Sequence, residues 1–542
     1  MAEPSLPLDK DPRFKSELEE FDDGRPPFCL TFPEVKLLGI AGVGFFLDAY
    51  DLFIINPVAT MLQYRLYGGN NLPTNLEGFL KAGANIGYLA DSLGRKAVYG
   101  KELVLIIVAT ILSISTPTGT LSPNHCLIYL AMFRILLGIG VGGDYPMSAS
   151  VTSDRSNLRK RGTMLAYIFS NQGWGSFVGS LATIIVLAIY KGAIEGRHEI
   201  SKVDGVWRIL VGLSLIPAFG TLYQRLTLPE SNRYNASKTL RQVPDSQDDV
   251  DELKKEEQPK VEVVEVKEII KQKAHFREFL IYFSEWRHAK ILIGTCTCWF
   301  LLDIAFYGIN LNQNVVLQQI GFAGNTGSQW TRLFKIGLGN LIITALGFVP
   351  GYWATVLTIE ILGRKWIQIQ GFLIAALLLA VIAGKFHDLS KPAFIVCFAL
   401  LQFFFNFGAN STTYCYPAEV FPTRFRASAH GMSAAAGKAG AIISALVFNT
   451  LSKKIGTPHV LWSTSQQQFT WSINNLSLEL STTVFFGCCI AGAGMCFLAW
   501  ESTFSNLQVV FTLLLPEVKG RDPDAIFAAE IEEKRIATGT RK

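Results

Sequence analysis

Four acids and one lysine stand inside stretches of sequence that are otherwise apolar. The first such stretch, beginning near Val35, contains Asp48 and Asp51 within Phe46-Leu-Asp48-Ala-Tyr50-Asp51-Leu-Phe53. Spaced three apart, the two carboxylates share one helical face. A second stretch carries Arg134 and then Gly138-Ile-Gly140-Val-Gly142-Gly143-Asp144-Tyr145-Pro146. A third holds Trp299, Asp303 and Tyr307 at i, i+4 and i+8, a stripe facing one way on a helix. Lys438 lies in a fourth, between Gly437 and Gly440. An ionised group at the centre of a membrane helix costs about 2.5–3.5 kcal/mol on insertion scales, so such residues mark pathways, proton relays or charge pairs. Between Thr297 and Gly308, Asp303 is the sole charge. A lone acid flanked on its own face by Trp and Tyr can hold and release a proton near neutral pH. Asp51, near a span end, and Arg134 also fit a helix-positioning role.

Uncharged polar groups accompany these residues. Gln172 sits in Phe169-Ser-Asn171-Gln172-Gly-Trp174, and Asn410 in Asn406-Phe-Gly408-Ala-Asn410-Ser-Thr412-Thr413. They read equally as solute ligands or as interhelical hydrogen bonds worth under about 1 kcal/mol each. Other chemistries are absent from the pattern. No Gly-x4-Gly-Lys-Ser/Thr phosphate loop occurs, which argues against an ATP-driven pump. Cys296, Cys298, Cys397 and Cys415 lie in apolar runs and Cys488 adjoins Cys489, so neither a metal site nor a disulfide framework is expected. No cofactor and no catalytic residue is expected either. The net charge of +5 comes without a basic stripe, which gives no reason to expect nucleic acid.

The elements that must position these side chains are membrane helices. Charged residues are 17% of the chain against about 25% in soluble domains, and hydrophobic residues are 49%, which excludes a water-soluble enzyme. A span takes about 20 mostly apolar residues. Candidates begin near Val35, Glu102, His125, Gly162 and Val206, and again near Lys290, Leu333, Trp366, Pro392 and His430. A short one, Leu76 to Ala90, and an interrupted one, Val484 to Leu515, bring the expected total to twelve. The fold class is therefore an all-α integral membrane protein. Between Thr227 and Lys290 lie 12 basic and 13 acidic residues, a solvated linker. The expected divisions are an N-terminal segment 1–36 without a cleavable signal, a six-helix bundle 37–226, a linker 227–289, a second bundle 290–515 and a tail 516–542.

The halves repeat. Asp91-Ser-Leu-Gly94-Arg95-Lys96 after the second span matches Glu360-Ile-Leu-Gly363-Arg364-Lys365 after the eighth. Leu228-Pro229-Glu230-Ser231 and Leu515-Pro516-Glu517-Val518 close the sixth and twelfth. Parallel six-span repeats with a midplane site between them are the major-facilitator plan. Loop Lys and Arg are nearly balanced between the two sides. The unsignalled N-terminus and the charged linker place both termini in the cytoplasm.

Taken together, these strings resemble fungal proton-coupled inorganic phosphate symporters of the major facilitator superfamily, over about Leu37 to Asn449. Phe421-Pro-Thr-Arg424-Phe-Arg426 and His430 to Lys438 add to the match. The resemblance implies two six-helix bundles that take up phosphate with protons by alternating access, at the plasma membrane. It implies phosphate held by Tyr145, Gln172, Trp299, Asp303, Tyr307 and Asn410, and a proton route through Asp48, Asp51 and Asp144 with Asp303. Lys438 would balance charge near the site. Asp91, Gly94, Arg95, Glu360, Gly363 and Arg364 would form the gating signature loops. The partners so implied are phosphate, protons and the lipid bilayer. The chemistry is consistent, because phosphate monoanion offers donors and acceptors that Tyr, Gln, Asn and Trp can meet without an arginine clamp.

Two regions depart from that family. The second span has fifteen residues, including Lys81 and Asn85, and about eight residues are expected to be missing before Gly87. Near the other end, Trp462 to Thr483 and Met495 to Val510 interrupt the last span, as translated introns would. A transcript encoding all 542 residues would sink that reading. Two other functions compete. Pro229-Glu-Ser-Asn-Arg233-Tyr234 resembles a sugar-porter signature, which suggests a carrier of sugar or another organic solute. A phosphate receptor signalling through the linker or tail is the other.

Overall fold

The computed structural model of the chain describes residues 24–91, 101–227, 277–322, 327–455, 512 and 515–537. Among them every long element is a helix and no strand occurs. The first span is α1 (Phe32–Phe53) continued by α2 (Ile55–Tyr67). Glu34 accepts from the Thr31 backbone N–H at 2.6 Å, which satisfies a donor left over at the helix start. At the far end of α2, Gly68 takes a left-handed φ of 61° and stops the helix. There follow α3 (Thr74–Asp91), α4 (Lys101–Ile114), α5 (Pro123–Arg155), α6 (Arg161–Ile189), α7 (Val203–Gly212) and α8 (Leu215–Leu226).

After the charged stretch come α9 (Trp286–Asn310), α10 (Gln313–Gln319), α11 (Gln329–Ile343) and α12 (Val349–Leu362). Then follow α13 (Arg364–Gly384), α14 (Lys391–Asn406), α15 (Ala409–Val420), α16 (Thr423–Ile455) and α17 (Pro523–Ala537). Among the described residues, nine helical stretches are long and apolar enough to cross a membrane, and Glu102–Ile114 is a shorter apolar one. Observed starts fall within four residues of those expected, with one exception. The eleventh span begins at Thr423, a turn and a half to two turns before His430. Thr423 and Arg426 are buried there and held by Asp154 and Asp524. The interrupted last span lies almost wholly outside the described residues, as do both suspected insertions.

The second span is longer than the fifteen residues expected, yet still short of the twenty or so that a span takes. α3 is 18 residues long, about 27 Å, because Thr74, Asn75 and Asp91 are helical too. From Leu80 to Tyr88 nearly every side chain is buried, including Lys81 and Asn85. Its neighbours are α5 and α16. Glycine sets the distance: a Cβ on Gly87 would lie 1.9 Å from the Ile135 carbonyl oxygen, and one on Gly138 1.9 Å from that of Ala84. Backbone therefore rests on backbone. Over this stretch the helix packs on protein through small residues, as membrane helix interfaces do.

The two halves touch at both ends. At one end lie residues 24–31 and α17, and this is called the terminal end. There Asp154 of α5 meets Arg426 and Thr423 of α16, and the Thr163 N–H donates to Glu360 at 3.1 Å. At the opposite, far end, Asn56 donates to the Asn310 carbonyl at 2.7 Å and Lys81 to Asn312 at 2.9 Å. Asn314 donates to Thr60 at 3.0 Å. The polar centre is enclosed between these two layers.

Candidate functional site

Helical periodicity on α9 places Trp299, Asp303 and Tyr307 on one buried face, each at most 2% exposed. Opposite them α16 brings Lys438. Its Nζ lies 3.3 Å from Asp303 Oδ2 and donates to the Tyr307 hydroxyl at 2.7 Å. The ammonium also lies 4.1 Å from the centre of the Tyr307 ring, 5.2 Å from Tyr88 and 5.5 Å from Tyr145, a cage of negative ring faces. Glycine again permits the approach. A Cβ on Gly437 would sit 2.4 Å from the Trp299 ring, and one on Gly440 2.4 Å from the Phe300 carbonyl. Asp303 is thus not a lone acid; its partner comes from a helix 135 residues away.

A second group of polar side chains adjoins this one through Tyr145. Gln172 of α6 donates to the Tyr145 hydroxyl at 3.2 Å and accepts from the Tyr352 hydroxyl at 2.5 Å. Asn410 donates to Tyr352 at 2.8 Å and to Asn406 Oδ1 at 2.7 Å. The chain Tyr145–Gln172–Tyr352–Asn410 therefore links both halves. Trp299 joins by ring contacts, at 5.5 Å from His430, which lies 5.3 Å from Tyr414. Tyr414 stacks on Phe169 at 4.6 Å and closes the wall. All six residues expected to hold solute, and Lys438, are thereby gathered in one buried cluster.

Tyr88, Tyr352 and Tyr414 belong to that cluster and were not singled out by sequence reasoning. For Tyr352 a signal existed: Asn340, Thr344, Phe348 and Tyr352 follow at intervals of four, the same kind of stripe that marks α9. Tyr88 and Tyr414 carry no such mark, since single tyrosines are ordinary in apolar helices.

The expected proton residues divide. Asp48 is fully buried, and neither carboxylate oxygen has a hydrogen-bond partner among the described residues. It lies within electrostatic reach of Asp144, Arg225, Asp51 and Lys438. Asp51 is 2% exposed, and the nearby Arg134 donates to its backbone oxygen at 3.1 Å. Asp144 is differently placed: Arg225 grips both its oxygens, at 3.0 and 3.1 Å, and Ser148 donates to it at 2.9 Å. Glu102 lies 3.5 Å from the same guanidinium. A Cβ on Gly44 would fall 1.7 Å from Asp144 Oδ2, so α1 must present glycine there. Arg225 and Glu102 stand near helix ends in the sequence, where charges read as flanking groups, and so were missed.

Of the signature loops, the second is fully described. Arg364 donates through Nη1 and Nη2 to Glu360 at 2.8 and 2.9 Å, and through Nε and Nη2 to Glu419 at 2.7 and 2.6 Å. Gly363 turns the chain with φ of 82°. Asp91 is the last residue of α3, while Gly94 and Arg95 lie outside the described residues. Among the described residues no group of three His, Cys, Asp or Glu side chains is placed to hold a metal.

Comparison with known proteins places this arrangement in a family. Residues 38–469 match the family described as sugar (and other) transporter. The chain is 42% identical to a putative inorganic phosphate transporter of Schizosaccharomyces pombe, over 93% of this chain and 89% of that protein. It is 38% identical to the inorganic phosphate transporter PHO84 of Saccharomyces cerevisiae, covering 81% and 78%. With the repressible high-affinity phosphate permease of Neurospora crassa it shares 37% identity, covering 80% of each chain. In fold it is similar to the proton:xylose symporter XylE bound to 6-bromo-6-deoxy-D-glucose, with a TM-score of 0.62 at 18% identity, over 92% of this chain and 98% of that one. The chain belongs to the sugar (and other) transporter family of the major facilitator superfamily: a multi-pass membrane carrier, not an enzyme.

Proposed function

We propose that this carrier takes up inorganic phosphate with protons by alternating access. The observation that carries the reading is the Asp303–Lys438–Tyr307 group joined to the Tyr145–Gln172–Tyr352–Asn410 chain. A phosphate monoanion brings both hydroxyl donors and acceptor oxygens, and phenol, amide and indole groups meet both. Lys438 supplies one positive charge, already balanced by Asp303 when the site is empty. An entering anion competes for that lysine and leaves Asp303 beside a negative charge, so Asp303 takes up a proton as the anion binds. That exchange couples the two fluxes. In this reading Asp48, which has no hydrogen-bond partner among the described residues, passes the proton on. The proposed solute site is Tyr145, Gln172, Trp299, Asp303, Tyr307 and Asn410, with Tyr352 added. The proposed proton residues are Asp48, Asp51, Asp144, Asp303 and Lys438.

In this reading the terminal end faces the cytoplasm and the carrier resides in the plasma membrane. Uptake of a monoanion against an inside-negative potential costs about 2.3 kcal/mol per 100 mV, and more than one proton per phosphate reverses that sign. The test is radiolabelled phosphate uptake in cells lacking their own carriers, at pH 5 and pH 7.5, for wild type and Asp303→Asn. Acid-stimulated uptake that Asp303→Asn abolishes is the expected result. Phosphate uptake indifferent to pH would remove the coupling and leave the solute. No phosphate uptake, with uptake of a labelled sugar instead, would replace the reading with a sugar carrier.

A further inference from the structure

α3 buries an ammonium group on the far-end side of the central cluster. Lys81 is 2% exposed. Its Nζ lies 2.7 Å from Glu77 Oε1, one turn earlier on the same helix, and donates to Asn312 Oδ1 of the other half at 2.9 Å. Asn312 is fixed in turn, because its amide nitrogen donates to the Gly308 carbonyl at 2.9 Å. The neighbouring bonds of the far-end layer, Asn56 to Asn310 and Asn314 to Thr60, join neutral groups. Lys81 therefore brings a positive charge to the seam between the halves. Parting of the halves there breaks its bond to Asn312 but leaves Glu77 beside it, since Glu77 moves with α3.

This arrangement resembles the central one. There Lys438 also meets one carboxylate, Asp303, and one neutral oxygen, the Tyr307 hydroxyl. Helical geometry connects the two ammonium groups. Lys81, Asn85 and Tyr88 stand at i, i+4 and i+7, on one face of α3, and each is at most 2% exposed. That face runs inward for about 10 Å. It ends at the Tyr88 ring, 5.2 Å from Lys438 Nζ. Asn85 offers an amide donor and acceptor and Tyr88 a hydroxyl, none with a hydrogen-bond partner among the described residues. Water or a passing ion can meet such groups.

We propose that Lys81 is an entry subsite for the anion. As the far end opens, its ammonium exchanges Asn312 for an oxygen of incoming dihydrogen phosphate, and the Asn85–Tyr88 face leads that ion to Lys438. The inference deepens the phosphate reading above and rests on it. An anion leaving water for this interior needs a counter-charge on its way, and Lys81 supplies one between the mouth and the central lysine. Glu77 keeps that charge partly neutralised, so the anion is caught weakly and moves on.

Phosphate uptake kinetics test this in cells lacking their own carriers and in inside-out vesicles of the same cells. The cells present phosphate to the far end, the vesicles to the terminal end. Lys81→Gln is expected to raise the far-end KM about tenfold, as loss of a charge-assisted hydrogen bond does, with kcat and the terminal-end KM within about twofold. Glu77→Gln is expected to act in the opposite direction and lower the far-end KM about threefold, because the ammonium then lacks its neutralising carboxylate. The double variant Glu77→Gln/Lys81→Gln leaves no unpaired buried charge and is expected to keep the raised KM, which separates loss of the subsite from misfolding. An unchanged far-end KM in both Lys81 variants, equal rises at the two ends, or a rise with Glu77→Gln would overturn the entry subsite while leaving the central reading standing. Absence of Asp303-dependent phosphate uptake by wild type would overturn both.

Discussion

Lys438 shows how a single side chain can be tolerated and used at once. An ammonium at this depth needs an opposite charge, a hydrogen bond and polarisable surroundings, and it finds them in Asp303, the Tyr307 hydroxyl and three tyrosine rings. Removing it leaves Asp303 buried and without its ion partner. Lys438→Met is therefore expected to abolish phosphate uptake, and restoring charge neutrality with Asp303→Asn in the double variant is expected to recover thermal stability but not transport. Unfolding midpoints of the purified variants, beside uptake, check both halves of that statement. Tyr352 makes a milder case. Its hydroxyl donates to Gln172 and accepts from Asn410, so Tyr352→Phe keeps the packing and removes two hydrogen bonds. A loss of about 1.5 kcal/mol is expected, seen as a roughly tenfold rise in KM for phosphate uptake.

At the scale of elements, the central helices approach until glycine is required. α3 meets α5 through Gly87 and Gly138, where any Cβ would lie 1.9 Å from a facing carbonyl oxygen. Gly138→Leu must push α3 away and take Tyr88 with it, so little folded protein is expected on size-exclusion chromatography after detergent extraction. By contrast, Gly119 and Gly196 have open space around them, and alanine at either is expected to leave yield unchanged. α17 acts as a cap on another element. Asp524 accepts from the Thr423 N–H and hydroxyl, each at 2.7 Å, at the start of α16. Asp524→Ala is expected to cost about 1–2 kcal/mol, as loss of a helix cap does, read as a lower unfolding midpoint with KM little changed.

For the whole molecule, the terminal end is held shut by buried ions from both halves. Arg364 alone bonds Glu360 and Glu419, and Glu360 in turn accepts from Thr163 of the other half. Removing one partner of a buried pair costs about 3–5 kcal/mol, because the remaining charges stay buried. Arg364→Met is therefore expected to lower the unfolding midpoint and to favour the state open at the terminal end. Cys415, now fully buried four residues before Glu419, should then react with a maleimide, as peptide mass spectrometry would show. Labelling at the wild-type rate would mean the end stays closed without Arg364.

Much of this molecule could be read from the chain alone. Hydropathy counts residues over twenty positions and helical facing repeats every three or four, so both are local. They located ten of the spans and the Trp299/Asp303/Tyr307 stripe, and the paired Gly-Arg-Lys turns exposed the repeat. Tertiary structure decided what local patterns cannot contain: which charge meets which. Asp303 found Lys438 135 residues away, and Asp144 found Arg225 at a separation of 81. Tyr352 became the joint between Gln172 and Asn410 because α6, α12 and α15 converge on it. The seating of the short second helix was decided in the same way. Its neighbours are protein, and contact between glycines far apart in sequence is set by the packing of three helices, not by the length of one.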